Sequence, residues 1–454
     1  MSILAHLREL DRAFHLHPFT HHTDMHRTGT HIIERGEGCW LIDAEGRRLF
    51  DGLAGLWCVN VGYGRREIND AVARQMEKLA YYCSFFNSTT EPSIRLAEKL
   101  ATLTPPGLKH TLFTNSGSEA NETALKLIRG YWKLRGQPGK TKILSRTFSY
   151  HGVGLATTSM TGLPSCTQPF DLPLPGFLYV PGPYRYAVTL GATPTDLDET
   201  GYGQWCVAET ARIIECEDPK TIAAIFVEPV QGAGGVIVPP EGYLRALRDL
   251  ARKHDILFVA DEVITAFGRL GAMFASDLWN LQPDLITTAK GITSGYLPLG
   301  ATIVSDPIVE VLNTGGYLAH GFTYSGHPTT CAASLANLQI IETEKLPQRV
   351  HDDVGPYFQQ QLRRFANHPA VGEVRGLGLI AAIELLPKAG RSALPAKSPL
   401  GVPAAAIARE EGLIVRGIRD LIALAPPLVI SHEEVDWVIT ALGRTLDRFA
   451  EQRG

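Results

Sequence analysis

Five short, almost wholly apolar segments, separated by helical stretches, constrain this chain more than any other feature. They are HTLFTN (110–115), KILSRT (142–147), IAAIFVE (222–228), ILFVADE (256–262) and DLITTAK (284–290). A strand that is apolar on both faces must be covered on both faces, which is the habit of a mainly parallel sheet between helices. Upstream, GCWLIDAEGRRLFDGLAG (38–55) predicts a hairpin turning at Asp43-Ala44-Glu45-Gly46. After residue 330, CAASLANLQIIETEKL, VGEVRGLGLIAAIELL and GLIVRGIRDLIALAPPLVI precede a helix from about 432, which suits a smaller α+β lobe. Residues 160–205, rich in Pro, Gly and Tyr, are expected to form a surface excursion, and residues 1–35 a mobile or ligand-covering segment. The chain is divided at 1–70, 71–328 and 329–454, the first part including the expected ligand-covering segment.

With 454 residues the chain exceeds one ordinary core, and its 44% apolar and 20% charged content is that of a globular protein. A net charge of −4 without a long basic block makes nucleic acid and anionic membrane poor partners. The seven cysteines are scattered and form no C-x-x-C pair. The opening MSILAHLREL carries Arg8 and Glu9 where a signal peptide needs an apolar run, and no apolar stretch reaches membrane-spanning length. A soluble protein of a reducing, cytoplasmic compartment is expected.

Three features at strand ends carry chemistry. Thr114-Asn115-Ser116-Gly117-Ser118-Glu119-Ala120-Asn121 follows an apolar strand and opens a helix whose Ala120, Ala124, Leu127, Ile128 and Tyr131 share one face. Small residues there let backbone N–H groups face an anion at the positive helix end, although Ser and Asn also serve as plain N-caps. Asp261 ends ILFVA, where ligands of parallel sheets bind; a buried acid there needs a cationic partner, or it caps the next helix. Lys290 ends DLITTA, and a lysine in a closed site loses its proton and attacks carbonyl carbon, whereas a surface lysine snorkels. Together, an anion cradle, an acid and an amine describe the phosphate, ring nitrogen and aldehyde of one ligand, pyridoxal 5′-phosphate.

With those residues in view, the sequence resembles the class III aminotransferases among the fold-type I pyridoxal-phosphate enzymes, and within them the amine–pyruvate (ω-transaminase) group. GLAGLWCVNVGYG, FTNSGSEANET, EPVQGAGGVIVPP, ADEVITAFGR, AKGITSGYLPLG, HGFTYSGHP and APPLV carry the resemblance, which spans about residues 18–450. It implies an α/β large domain with a mainly parallel seven-stranded sheet, and a small α+β domain from both chain ends. Lys290 is then the catalytic lysine that holds the cofactor as a Schiff base, and Asp261 keeps the ring nitrogen protonated. Ser116, Gly117 and Ser118 bind the phosphate. Tyr150, followed by His151, stacks on one ring face and Val263 covers the other, while Glu228 sits beside Asp261 or the ring hydroxyl. Phe322 and Thr323 reach the phosphate from a neighbouring chain, in a homodimer with shared active sites or a tetramer built from it.

By the same resemblance, Phe19, Trp57, Phe85 and Tyr150 wall the substrate pocket, against the ordinary alternative of core or interface packing. Arg416 binds the carboxylate of the acceptor, a task that suits a planar guanidinium. Arg419 departs from the pattern: it is a second guanidinium favouring an anionic donor, or a solvated partner of Asp420. The implied reaction is a ping-pong transfer of an amino group from an amine or ω-amino acid to pyruvate, giving an aldehyde or ketone and L-alanine. Alternatives are a taurine- or β-alanine-specific pyruvate enzyme, an aminomutase or decarboxylating relative, and a non-catalytic pyridoxal-phosphate-binding protein. The histidines at 15, 17, 21, 22, 26 and 31 are not expected to form a metal site, for want of regular spacing near carboxylates.

Overall fold

The computed structural model describes residues 2–186, 197–390 and 398–452. Fifteen strands are β1 (Ile33–Glu37), β2 (Trp40–Asp43), β3 (Arg48–Asp51), β4 (Leu108–Thr114), β5 (Lys142–Arg146), β6 (Phe177–Val180), β7 (Ile222–Val227), β8 (Leu257–Asp261), β9 (Leu285–Thr288), β10 (Gly300–Ser305), β11 (Val371–Leu377), β12 (Ile380–Leu385), β13 (Leu413–Ile414), β14 (Arg416–Ile418) and β15 (Leu421–Leu424). Seven of them form the central sheet in the order β4-β10-β9-β8-β7-β5-β6, with only β10 running against its neighbours. Every residue of β7, β8 and β9 is buried, as strands covered on both faces require. The helix Gly117–Leu134 buries Ala120, Ala124, Leu127, Ile128 and Tyr131 against this sheet, the face that its periodicity gave.

The smaller α+β part draws on both chain ends. β2 and β3 form the expected hairpin, closed by Asp43, whose Oδ1 accepts the backbone N–H groups of Glu45 (3.0 Å) and Arg47 (2.9 Å). β13 then pairs in parallel with β3, so the chain's last third completes a sheet begun by its first fifty residues. Trp40 strengthens that closure: its indole N–H donates to Glu434 (2.8 Å) and its ring meets Trp437 edge-on at 4.9 Å. Both partners sit on the helix His432–Gln452, where the sequence places a helix. A second antiparallel sheet, β11-β12-β15-β14, carries the strand that bears Arg416.

Two expectations change. The 160–205 excursion contributes β6, the edge strand of the central sheet, and its end is already helical from Glu199; residues 187–196 of it lie outside the described residues. FLYV is too short, and too surrounded by Pro and Gly, for period alone to mark it as a strand. The first 35 residues fold as helices Ile3–Phe14 and His22–Thr28, neither of which buries a residue. Among the described residues no helix is long and apolar enough to cross a membrane.

Candidate active site

β4, β9 and β8 end at the same edge of the sheet, with β10 between the first two, and residues at and just beyond these ends line a cavity of about 130 Å³. Its walls are Gly117 and Ser118 from the helix start after β4, Asp261 at the end of β8 and Val263 after it, and Ala289 and Lys290 after β9. Tyr150, His151 and Gly152 follow β5, and Glu228 and Val230 follow β7. Carboxyl ends of parallel strands are where such sheets hold ligands, because the loops there leave a crevice.

Asp261 is buried and fully engaged. Its Oδ2 accepts the Asn121 side-chain amide (2.8 Å) and lies 2.7 Å from His151 Nδ1, while Oδ1 accepts the N–H of Val263 (3.1 Å). Asn121 is held in turn by the Thr287 hydroxyl (2.8 Å) and donates to the His151 carbonyl (2.8 Å). A carboxyl group held this way keeps one orientation towards the cavity.

Lys290 adopts φ +46°, a left-handed conformation that is strained for any residue with a Cβ. It keeps part of its surface open to the cavity, yet no ion pair or hydrogen bond among the described residues engages its amine. Burial lowers its pKa, against the opposing pull of Cys58, Asp261 and Glu228. A lysine so placed gives up its proton more readily than a surface lysine. Glu228 is buried, and burial, with Asp261 nearby, pushes its carboxyl up to about 7 against the pull of His151. Its two oxygens accept the N–H groups of Tyr150 (3.0 Å) and Gly232 (3.1 Å).

The phosphate end is shaped by missing side chains. A Cβ on Gly117 would come within 2.9 Å of Val263, and one on Gly152, at φ +138°, within 2.7 Å of Ser118 Oγ. The buried Nε2 of His151 and Oγ1 of Thr288 have no protein partner. A flat anionic group with a carbonyl and a basic ring nitrogen fits this donor set.

Arg416 lies near the same cavity, with its guanidinium 4.8 Å from the centre of the buried Trp57 ring. Burial lowers its pKa, and its charge is felt by both Lys290 and Tyr150. Trp57 is itself at φ +59° and its indole N–H has no partner.

Other expected residues stand elsewhere. Ser116 does not line the cavity: its hydroxyl accepts the N–H of Glu119 (3.2 Å), the plain N-cap alternative. Phe19 is 76% exposed. Phe85 lines a separate groove of about 820 Å³ with Phe86, Tyr317 and His320. Phe322 packs edge-on to His320 at 5.4 Å, and the exposed Thr323 offers its carbonyl to the Tyr81 hydroxyl (2.6 Å). Within one chain none of these four reaches Lys290's cavity. Sequence reasoning assigned no role to Asn121, whose signal is a polar side chain on the buried face of an amphipathic helix. It also missed a regular spacing: Asp11 and His15 are one helical turn apart, and with His17 they bring three ligand-type atoms within 4.8 Å of one another. Both imidazoles bond to the same Asp11 oxygen, at 3.1 and 2.8 Å, and Thr30 donates to the other.

A seven-stranded, mainly parallel sheet with a lysine, an acid and a helix start converging beyond its strand ends defines the class of fold-type I pyridoxal-phosphate enzymes. The chain belongs to the class III aminotransferases, whose family model, "Aminotransferase class-III", matches residues 23–446. It is 41% identical to the putrescine–pyruvate aminotransferase of Pseudomonas aeruginosa over 97% of this chain and 96% of that one. It is 40% identical to the diaminobutyrate–2-oxoglutarate transaminase of Halomonas elongata, over 98% and 96%. The ω-transaminase of Pseudomonas jessenii in complex with PMP superposes with a TM-score of 0.94, at 40% identity and 99% coverage of both chains. The protein is thus a pyridoxal-phosphate-dependent aminotransferase.

Proposed function

We propose that this enzyme moves an amino group from an amine or ω-amino acid to pyruvate in two alternating half-reactions, releasing an aldehyde or ketone and then L-alanine. The observation that carries the reading is the enclosed Lys290 amine, its pKa lowered by burial, in one cavity with Asp261 and the Gly117–Ser118 helix start. Pyridoxal 5′-phosphate, bound there, supplies an electron sink for the pair left behind when a proton leaves the donor carbon. The residues do the rest. Gly117 and Ser118 hold the phosphate at the positive helix end. Asp261 keeps a proton on the ring nitrogen, and Tyr150 and Val263 confine the ring. Lys290 would hold the cofactor through its aldehyde carbon, and its free amine is the group placed to take a proton from the donor carbon and to return one on the same face.

Arg416 receives the acceptor carboxylate, and Trp57 supplies an apolar wall that suits an uncharged donor. Pyruvate is favoured as acceptor by the putrescine–pyruvate relative, with 2-oxoglutarate as the competing acceptor. We further propose that a second copy of the chain covers the groove at Phe85, where Phe86 and Tyr317 are 81% and 83% exposed, and brings Phe322 and Thr323 to the neighbouring cavity. The divisions at 70 and 328 and a cytoplasmic location belong to the same reading.

The test supplies purified enzyme with putrescine, β-alanine, taurine or 1-phenylethylamine, each with pyruvate or 2-oxoglutarate, and counts the amino acid formed. Stoichiometric alanine with at least one uncharged amine is expected. Glutamate from 2-oxoglutarate with no alanine from pyruvate would overturn the acceptor assignment.

A further inference from the structure

Arg419 is expected from sequence either to meet a substrate anion or to pair with Asp420. The structure gives its guanidinium other work. Arg419 stands at the turn between β14 and β15 with φ +46°, a conformation that glycine adopts freely and an arginine only under constraint. Its Nη2 donates to the Gly234 carbonyl (2.7 Å), and its guanidinium carbon lies 5.0 Å from the centre of the Phe148 ring and 5.7 Å from that of Tyr184. Arg416 is three residues earlier, at the start of β14, and the two guanidinium groups meet different rings: one lies over Trp57, the other over Phe148.

The groups that Arg419 holds lead to the cavity. Gly234 belongs to the loop 232–236, whose first N–H is donated to Glu228 (3.1 Å). Phe148, itself at φ +63°, stands two residues before Tyr150 and packs so tightly on the loop that a Cβ on Gly234 would overlap its carbonyl oxygen. Arg375, on β11, grips the next carbonyls: its Nε lies 3.1 Å from Gly235 O and 3.0 Å from Val236 O. Two guanidinium groups of the C-terminal sheet therefore hold three successive carbonyls of one loop, and of the two Arg419 does so from the turn that directly follows the strand of Arg416.

We propose that Arg419 is a positioning residue for the acceptor half-reaction. It pins the β14–β15 turn to the 232–236 loop and Phe148, and so fixes Arg416 relative to the wall that carries Tyr150 and Glu228. The proposal rests on the assignment of Arg416 to the acceptor carboxylate. The strain at φ +46° is retained because an arginine at this turn reaches both the loop carbonyl and the aromatic face.

The test compares wild-type holoenzyme with Arg419→Gly, which suits the turn's backbone, and Arg419→Lys, which keeps the charge but not the planar fork. Pyruvate and amine KM values are measured separately, and amide hydrogen exchange is followed across 232–236 and 416–424. Arg419→Gly is expected to raise the pyruvate KM about tenfold, the scale of one charge-assisted hydrogen bond, with the amine KM within about twofold. Exchange should quicken in both segments, and Arg419→Lys should recover part of each effect. Unchanged exchange, an unchanged pyruvate KM, or an equal rise in both KM values would overturn the proposal. If the wild-type enzyme uses no pyruvate, the acceptor reading fails instead, and the exchange measurement alone still decides whether Arg419 clamps the loop.

Discussion

The cavity at the strand ends and the aromatic groove around Phe85 differ in what a single chain completes. Lys290, Asp261, Ser118, Tyr150 and Glu228 come from four loops and one helix start of the same sheet, and together they enclose about 130 Å³. Phe85, Phe86 and Tyr317 face an open groove of about 820 Å³, while Phe19 and Thr323 are exposed. The contrast teaches that the chemical groups are fixed by the core of the sheet. The rim residues Phe19, Phe85 and Thr323 do not line that cavity within one chain.

The largest effect that separates the two regions belongs to Lys290→Ala. Removing the one amine that lines the cavity among the described residues should lower kcat by about 10⁴-fold, measured as alanine formed from pyruvate, with the fold retained by circular dichroism. A rim substitution should do far less. Phe85→Ala is expected to change kcat/KM for bulky donors by up to about tenfold, and to weaken self-association in sedimentation at micromolar protein. A loss as deep as that of Lys290→Ala, or a change in neither quantity, would break the comparison.

The smallest effect concerns Glu228. Its folded pKa of about 7 lies above the ordinary value near 4.5, so the folded state favours the protonated form. The stability this gives is complete below pH 4.5 and is lost as pH rises towards 7. Without cofactor, Glu228→Gln should therefore flatten the fall of Tm between pH 5 and 8 by about 2–4 °C. Parallel wild-type and variant profiles would contradict that assignment.

Much of this was legible in the sequence for a physical reason. Fully covered strands must be apolar throughout, and β7, β8 and β9 could be read directly, with Asp261 and Lys290 as the polar breaks at their ends. Asn121 was harder, because nothing in a linear pattern says that a buried amide faces a carboxylate 140 residues away. Ser116 shows why such residues are ambiguous: capping a helix, which its hydroxyl does here, and binding an anion require the same residue types. Phe85 and Thr323 illustrate another limit: a single chain does not bring them to the site to which the family resemblance assigned them. The bond from Arg419 to Gly234 was not foreseen, because its partner is a backbone carbonyl and backbone leaves no mark in side-chain patterns.

The central claim is that one lysine, at position 290, carries the cofactor. Holoenzyme reduced with borohydride and digested for peptide mass spectrometry should carry the phosphopyridoxyl mass on Lys290 alone. The adduct on any other lysine, or none on the peptide containing Thr287-Thr288-Ala289-Lys290-Gly291, would contradict the account.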